Sequence, residues 1–222
     1  MTRRVFITGG SRGIGHAIAQ KLTDEGCEII KPTSKELDLS DVQSVEAFLK
    51  NHSTLEADVL INNAGENKIK SMDELTFADW MRIQNVNMNS VFLLTQFFGK
   101  KMSLKKSGHI LNIASIYSFL GRPGRAAYAT SKSALNGFTR VCALEYGPSN
   151  VIVNSMSPGF VDTELTRKNN SIEVIKQLES QTALKRMAST QEIAEFANFL
   201  VSPKNSYITG QNLVIDGGFS IQ

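Results

Sequence analysis

Residues Val5 to Leu22 read VFITGGSRGIGHAIAQKL and combine, in order, a short strand, a glycine-rich turn and a helix. The first four residues are apolar or β-branched, as in a buried strand, and apolar residues recur at helical spacing after the turn. Gly9, Gly13 and Gly15 let the backbone approach a pyrophosphate, whose charge a helix N-terminus favours. The spacing departs from the fingerprint G-x-G-x-x-G, because Ile18 occupies its last position. Placed after a first strand, this turn predicts nucleotide binding.

Strand-like and helix-like segments alternate along the rest of the chain. Short apolar runs typical of buried strands lie at 27–31, 58–65, 108–114, 151–156 and 208–218. Such alternation implies a parallel sheet covered on both faces. The sequence therefore predicts one α/β domain over residues 1–222, a doubly wound Rossmann fold of about seven strands with helices on both faces. The polar segment at 164–190 is predicted to be a substrate lid.

Composition excludes several classes of protein. Of the 222 residues, 41% are hydrophobic and 20% are charged, the balance of a globular domain with a sizeable core. The 24 basic and 21 acidic residues are scattered, and the formal charge of +3 is too weak to predict a nucleic-acid partner. Neither a membrane-span run nor the apolar run of a signal peptide is visible. We therefore expect a cytoplasmic protein without a membrane or nucleic-acid partner.

The cysteines and histidines predict no metal site. Cys27 and Cys142 fall in a predicted strand and a predicted helix, where cysteine behaves as a small apolar residue. His16, His52 and His109 share no ligand spacing with the cysteines. The sequence therefore predicts neither a disulfide nor bound metal.

The end of the second strand bears on the choice of cofactor. NAD-selective sites usually place a carboxylate there to hold the ribose 2′-hydroxyl. Here residues 31–35 read KPTSK, and the first carboxylate after this run is Glu36. Arg12 in the glycine turn, with Lys31 or Lys35, could meet a 2′-phosphate instead. The sequence therefore favours NADP(H) and leaves NAD(H) as the alternative.

A second stretch, Ser115 to Lys132, carries the chemistry and reads SIYSFLGRPGRAAYATSK. Tyr128 and Lys132 are about one turn apart on a helix predicted over 126–146, so both project from the same face. A free phenol has a pKa of about 10, and a nearby cation favours its ionised form. A tuned tyrosine can exchange a proton with an alcohol or a developing alkoxide, and the Ser115 hydroxyl can hold the reacting oxygen. Because such pairs are also common on amphipathic helices, the interpretation depends on the surrounding site.

Three asparagines and one helix start leave alternatives open. Asn62 and Asn63 end a predicted strand and either form a turn or line a ligand crevice. Asn87 lies in the apolar face of a helical run, so it is either a structural bridge or part of a proton or water path. Ser40 or Asp41 is expected to cap the helix that follows.

These motifs together resemble one family. The segments that carry the resemblance are TGGSRGIG at 8–15, NNAG at 62–65, Asn87, Ser115, YATSK at 128–132, SPGFVDT at 157–163 and ITGQNLVIDGG at 208–218. In this order, with Ser115 thirteen positions before Tyr128, they resemble the short-chain dehydrogenase/reductase family over essentially the whole chain.

The resemblance implies a catalytic set of four residues. Tyr128 would be the acid–base, and Ser115 would orient the substrate carbonyl or hydroxyl. Lys132 would lower the tyrosine pKa and hold the nicotinamide ribose. Asn87 would fix a water that leads toward Lys132.

The resemblance also implies a cofactor site. The cofactor phosphates and ribose would contact the glycine turn at Gly9, Ser11, Arg12, Gly13, Ile14 and Gly15. The adenine would contact Asp38 and Leu39, and the adjoining ribose would contact Asn63, Ala64 and Gly65. The nicotinamide carboxamide would contact Pro158, Gly159, Val161 and Thr163. The chain departs from the family at 33–39, where little room is left for the usual helix.

Within the family the chain looks most like the 3-oxoacyl-[acyl-carrier-protein] reductases. This likeness implies NADPH-dependent carbonyl reduction, acyl carrier protein as a partner, and a homodimer or homotetramer. The basic carrier-docking positions would fall at Lys106 and Ser149, so only one of them is basic here. The predicted function is NAD(P)(H)-dependent interconversion of a ketone and a secondary alcohol. The alternatives are a sugar or polyol dehydrogenase and a non-catalytic dinucleotide-binding sensor or scaffold.

Overall fold

The computed structural model describes residues 2–221, apart from the side chains of Leu165 and Asn169. In chain order the strands are β1 (Arg4–Ile7), β2 (Glu28–Ile30), β3 (Val59–Asn62), β4 (Gly108–Ile113), β5 (Val151–Pro158), β6 (Val161–Asp162), β7 (Ala188–Ser189) and β8 (Asn212–Ile215). The main sheet has the order β2-β1-β3-β4-β5-β8, and all its neighbouring strands are parallel. A separate two-stranded parallel sheet pairs β6 with β7.

Helices connect the strands. They are α1 (Gly13–Asp24), α2 (Val42–Asn51), α3 (Phe77–Gln84), α4 (Ser90–Lys105), α5 (Ala126–Tyr146), α6 (Glu164–Asn169), α7 (Ile172–Ser180) and α8 (Thr190–Val201). A π-helical turn, Asn85–Asn89, joins α3 to α4. Of the two expected capping residues, Asp41 caps α2, because its carboxylate accepts from the Gln43 N–H at 3.0 Å. Among these helices, we find none whose length and apolarity suit a membrane span.

Alternate residues of the strands enter cores on opposite faces of the sheet. Val5 and Ile7 of β1 pack with Leu22 of α1 on the face that α1 and α8 cover. Phe6, between them, faces the other way and meets Phe98 of α4, with ring centroids 4.8 Å apart. This two-residue alternation buries both faces of the sheet, which confirms the predicted α/β layering.

The main sheet has six strands, one fewer than the predicted number of about seven. Residues 31–41 alone connect β2 to α2. A further parallel strand needs a crossover of about a dozen residues or more, usually with a helix, and this connection is too short to hold both. Leu37, within it, packs instead into the core beside Val45 of α2.

The strand order reverses at β1, which has β2 on one side and β3 on the other. Ligands of sheets of this type bind in the crevice outside the carboxyl ends of the strands at such a reversal. The glycine turn follows β1, the NNAG motif covers the end of β3, and Ser115 follows β4. The sheet therefore brings the predicted site segments to one edge.

Candidate active site and cofactor crevice

Hydrogen bonds tie the end of β1 to the end of β3. The Asn63 side-chain amide donates to the carbonyls of Thr8 and Gly9 at 3.0 and 3.1 Å. In return, the Thr8 hydroxyl oxygen accepts from the backbone N–H groups of Asn63 and Ala64, at 3.1 and 3.0 Å. Gly15, at the start of α1, packs so closely here that a Cβ would lie 2.2 Å from the Gly9 carbonyl oxygen. The close packing leaves a backbone-lined cradle that suits a pyrophosphate.

The predicted nicotinamide segment runs beside the glycine turn. The Gly159 N–H donates to the Ile215 carbonyl at 2.9 Å, which fastens the segment to the end of β8. Val161 is buried in β6. Thr163 caps α6, and a Cβ at Gly13 would lie 3.8 Å from the Thr163 Cγ2. The strands β1 and β5, which are not neighbours in the sheet, thus contribute to one crevice.

Two cations stand near the outer end of the glycine turn. Arg12 is exposed and directly precedes α1, without a side-chain cap. Lys31 packs against the turn, since a Cβ at Gly10 would lie 3.1 Å from the Lys31 Cβ. The carboxylate of Glu36 accepts from the N–H and hydroxyl of Thr33 at 2.7 and 2.8 Å, which holds its pKa below the usual range. The nearest downstream acid is therefore engaged within its own turn.

Asp38, predicted to face the adenine, makes a local turn. One of its oxygens accepts from the Ser40 hydroxyl and N–H at 2.8 and 2.9 Å, and these bonds lower its pKa. Leu39 beside it is half-buried. Adenine contact by this pair stays a prediction.

The Ser115 hydroxyl and the Tyr128 phenol lie side by side. The Ser115 oxygen accepts from the Tyr117 N–H at 3.2 Å and so caps the 3₁₀ turn Ile116–Ser118. Tyr128 is in the first turn of α5. Burial raises the pKa of the Tyr128 phenol, while the Ser115 hydroxyl and the Arg125 charge lower it. The phenol is therefore protonated at neutral pH, the form that can donate a proton.

Lys132 lies one turn further along α5 and is 3% exposed. Its Nζ donates to the Ile113 carbonyl at 2.6 Å and is 5.8 Å from the centroid of the Tyr128 ring. Burial lowers the pKa of Lys132 to about 8. That Lys132 lowers the Tyr128 pKa stays a prediction, whereas Arg125 is a cation that does so here.

Asn87 sits in the π-helical turn and is fully buried. Its side-chain oxygen accepts from the Glu66 N–H at 2.8 Å, and its amide donates to the Glu66 carbonyl and the Ser131 hydroxyl, both at 2.9 Å. The Ser131 hydroxyl donates to the Tyr128 carbonyl at 2.7 Å. Asn87 thus bridges the NNAG loop to α5, and its predicted water stays a prediction. A π-turn in a helix is frequently a feature of functional sites.

Three side chains beside Tyr128 were missed by the sequence reasoning. The Tyr117 ring packs against the Tyr128 ring with centroids 6.5 Å apart, and Arg122 and Arg125 both contact Tyr117. The available signal was a pair of arginines flanking Pro123 and Gly124, three and six positions before the tyrosine.

Comparisons with known proteins agree with this geometry. A family model described as enoyl-(acyl carrier protein) reductase matches residues 31–220. The 3-oxoacyl-[acyl-carrier-protein] reductase FabG of Aquifex aeolicus (strain VF5) is 34% identical over 237 residues, covering 96% of this chain and 95% of that protein. The chain belongs to the short-chain dehydrogenase/reductase family. An acetoacetyl-CoA reductase from Acinetobacter sp. (strain RA3849) is 33% identical and covers 96% of each protein.

Solved structures of two dehydrogenases share the fold. A gluconate 5-dehydrogenase from Burkholderia cenocepacia J2315, in complex with NADP and tartrate, has a TM-score of 0.92 at 28% identity, covering 99% of this chain and 96% of that one. A 4-hydroxyisoleucine dehydrogenase complexed with NADH has a TM-score of 0.93 at 30% identity and covers 100% of both chains. This short-chain dehydrogenase/reductase is therefore an NAD(P)(H)-dependent oxidoreductase that interconverts a ketone and a secondary alcohol. The predictions of family, fold class and reaction are confirmed.

Proposed function

We propose that this protein reduces a ketone with NADPH and that Tyr128 donates the proton. The observation that carries the proposal is the Ser115 hydroxyl beside a protonated Tyr128 phenol, at the sheet edge that holds the glycine cradle. We further propose Asn87 and Lys132 as the remaining members of the catalytic set, since both are buried and both adjoin the Gly65 loop. This arrangement argues against a non-catalytic sensor, which needs the cradle but not the proton donor.

Each residue of the site has a separate role in the proposed reduction. The Ser115 oxygen accepts from the Tyr117 N–H, which orients the hydroxyl, and the Ser115 hydrogen would bond the substrate oxygen. Tyr128 gives its proton to that oxygen as negative charge develops there. When bound, the reduced nicotinamide supplies the hydride. Lys132, with its lowered pKa, can return a proton toward the phenol near neutral pH, and Asn87 holds the NNAG loop against α5.

The preference for NADPH is proposed from charge at the outer end of the crevice. Arg12 and Lys31 flank the glycine turn, and the carboxylate of Glu36 is bonded to Thr33. An arginine binds a phosphate through charge-assisted hydrogen bonds that a ribose hydroxyl cannot match. NAD(H) remains the alternative, and the KM values for the two cofactors distinguish between them.

Arg12→Ala should raise the KM for NADPH about 10- to 100-fold and that for NADH by less than about twofold, because only NADPH carries the 2′-phosphate. Initial rates with both cofactors measure the effect. Lys50→Ala, an exposed lysine of α2, is the matched control and should change neither constant. Equal effects of Arg12→Ala on both cofactors would refute the phosphate contact.

Several classes of ketone are candidates for the substrate. The FabG and acetoacetyl-CoA reductase relatives make 3-oxoacyl thioesters the first compounds to test, and the gluconate 5-dehydrogenase neighbour supports the sugar or polyol alternative. The predicted carrier-docking positions, Lys106 and Ser149, lie near each other, because the Asn150 amide donates to the Lys106 carbonyl at 3.3 Å. Only one of the two is basic. A docking role for acyl carrier protein is therefore less favoured than the reduction itself.

A substrate lid at 164–190 stays part of the proposal. The segment contains α6, α7, the loop to β7, β7 itself and the first residue of α8, and it begins directly after the predicted nicotinamide segment. Ile172 and Leu184 are 68% and 63% exposed, so the segment offers apolar side chains to a ligand. Turnover of 3-oxoacyl thioesters, keto sugars and diketones, measured side by side, ranks the candidates.

We propose that the protein is a homodimer or homotetramer. Phe92 of α4 is 44% exposed, and Val141 and Leu144 of α5 are 51% and 78% exposed, so the two helices present apolar side chains to solvent. Burying such a surface against a second copy is favourable. Light scattering at micromolar concentration should give at least twice the monomer mass of 24.4 kDa. A monomer under these conditions would contradict the assembly.

A further inference from the structure

Two arginines converge on one tyrosine next to the proposed proton donor. Arg122 Nη1 donates to the Tyr117 hydroxyl oxygen at 2.8 Å, and the Arg125 Cζ lies 5.3 Å from the centroid of the Tyr117 ring. Within residues 2–221, neither arginine has a carboxylate oxygen inside the 4.0 Å of an ion pair. Two positive charges are therefore held together without a protein anion.

A tight turn holds the two arginines together. The Arg125 N–H donates to the Arg122 carbonyl at 3.2 Å, and Gly124 between them has φ +79°, a combination typical of a type II turn with proline before glycine. The Gly124 carbonyl accepts from the Lys70 N–H at 3.2 Å, which anchors the turn to the loop after NNAG. Burial lowers the pKa of the half-buried Arg125; Tyr117 and Tyr128 oppose this shift, and the Arg122 charge adds to it. The repulsion would be relieved by a bound anion.

Tyr117 adds a hydrogen-bond donor to the same place. Its oxygen is occupied by Arg122, and no acceptor for its hydroxyl hydrogen is present among the described residues. Tyr117 is 9% exposed, and its partner Arg122 lies at the exposed side of the cluster. Two guanidinium groups thus adjoin one hydroxyl whose hydrogen has no acceptor in the described part of the chain, and neither guanidinium has a carboxylate partner there. A carboxylate has the planar, double-acceptor geometry that such groups bind.

The cluster is close enough to the reacting centre to hold the same small molecule. The Tyr117 and Tyr128 ring centroids are 6.5 Å apart, and Arg125 acts electrostatically on the Tyr128 phenol. We propose that Arg122, Arg125 and Tyr117 bind a carboxylate of the substrate, so that the ketone reduced is a small oxo acid. This inference rests on the proposed ketone reduction and names its substrate class. The acyl part of a thioester is neutral near its carbonyl and would leave the two arginines without an anionic partner.

Matched pairs of oxo acids and their methyl esters test the carboxylate site. We expect the wild-type enzyme to reduce 3-oxobutanoate or 4-oxopentanoate with a higher kcat/KM than the corresponding ester. In Arg125→Gln the acid-to-ester ratio of kcat/KM should fall about 10- to 100-fold, the loss expected for a hydrogen bond between charged groups. The ratio is the readout because it cancels any effect of Arg125 on the Tyr128 phenol. Tyr117→Phe should lower the ratio by a smaller factor.

Arg140→Gln, on the exposed side of α5, is the matched control and should leave the ratio unchanged. NADPH binding, followed by fluorescence, shows whether each variant is folded. If esters and acids are both reduced and Arg125→Gln leaves their ratio unchanged, the carboxylate site is refuted while the reductase stands. If Arg125→Gln impairs acetoacetyl-CoA but not the phosphate-free N-acetylcysteamine thioester, with no change for the acids, the bound anion is a thioester phosphate and our assignment is wrong.

A binding measurement keeps the two proposals separate. In the presence of NADP⁺, which cannot reduce the ketone, 4-oxopentanoate should raise the Tm of the wild-type protein, and its methyl ester should not. Arg125→Gln should abolish this shift. Should the protein bind 4-oxopentanoate in this way yet reduce no ketone, the proposed function fails and the carboxylate site stands. Absence of any acid-specific shift in the wild type would overturn the site.

Discussion

Tyr128→Phe should lower kcat for ketone reduction by about 10²- to 10⁴-fold, the range that removal of a general acid produces. The substitution deletes only the phenol oxygen, so the ring still packs against Tyr117. Affinity for NADPH should stay within about threefold of the wild type, because the glycine cradle on β1 and β3 is untouched. Cofactor absorbance gives the rate, and a fluorescence titration gives the affinity.

Tyr207→Phe provides the matched control, since this tyrosine is 95% exposed, and its rate should equal that of the wild type. Undiminished turnover in Tyr128→Phe would refute the proton-donor role. A parallel loss of NADPH binding would instead assign to the phenol a part in holding the cofactor.

Gly15→Ala should weaken NADPH binding by about 100-fold or more, because small displacements of a positioning element have effects of this size. A Cβ at residue 15 would lie 2.2 Å from the Gly9 carbonyl oxygen and 2.3 Å from the Asn63 Nδ2. Both atoms take part in the bonds that join the ends of β1 and β3, so the turn must move. Overpacking of this kind also costs roughly 1–3 kcal/mol of stability. Fluorescence titration and thermal unfolding measure the two effects.

Gly147→Ala is the control for this substitution, because a Cβ at residue 147 would meet nothing within 4 Å. It should bind NADPH as the wild type does. Wild-type affinity in Gly15→Ala would show that the turn can relax without changing the cradle, and the cofactor would then have to be held elsewhere.

Sequence reasoning was most accurate where local patterns determine structure. The helix predicted over 126–146 has those bounds as α5, since its apolar spacing is regular and Pro148 prevents a longer run. The parallel direction of the sheet and the meeting of the motifs at one edge also follow from the alternation of strands and helices. Family resemblance supplied the roles of Ser115 and Tyr128, and the structure places these two side by side.

The features that sequence reasoning missed depend on distances between residues in space, which the order of residues along the chain does not give. The number of strands was overestimated because the sequence does not show directly that residues 31–41 are too few for a crossover. Ser40 and Asp41 are both good caps, and only the backbone shows that Asp41 reaches Gln43. In the sequence alone, Arg122 and Arg125 resemble solvated surface charges. In the structure, the turn at Gly124 places both against Tyr117.

Because the connection after β2, residues 31–41, holds no further strand, β2 lies at an edge of the main sheet, and an exposed strand edge can promote aggregation. Within residues 2–221, β2 pairs with β1 alone, so its outer backbone groups could template another chain. The strand is only three residues long, begins with the charged Glu28 and is soon followed by Pro32, which cannot donate a hydrogen bond. These features limit edge-to-edge association, and extending β2 by replacing Pro32 with a β-branched residue would remove one of them.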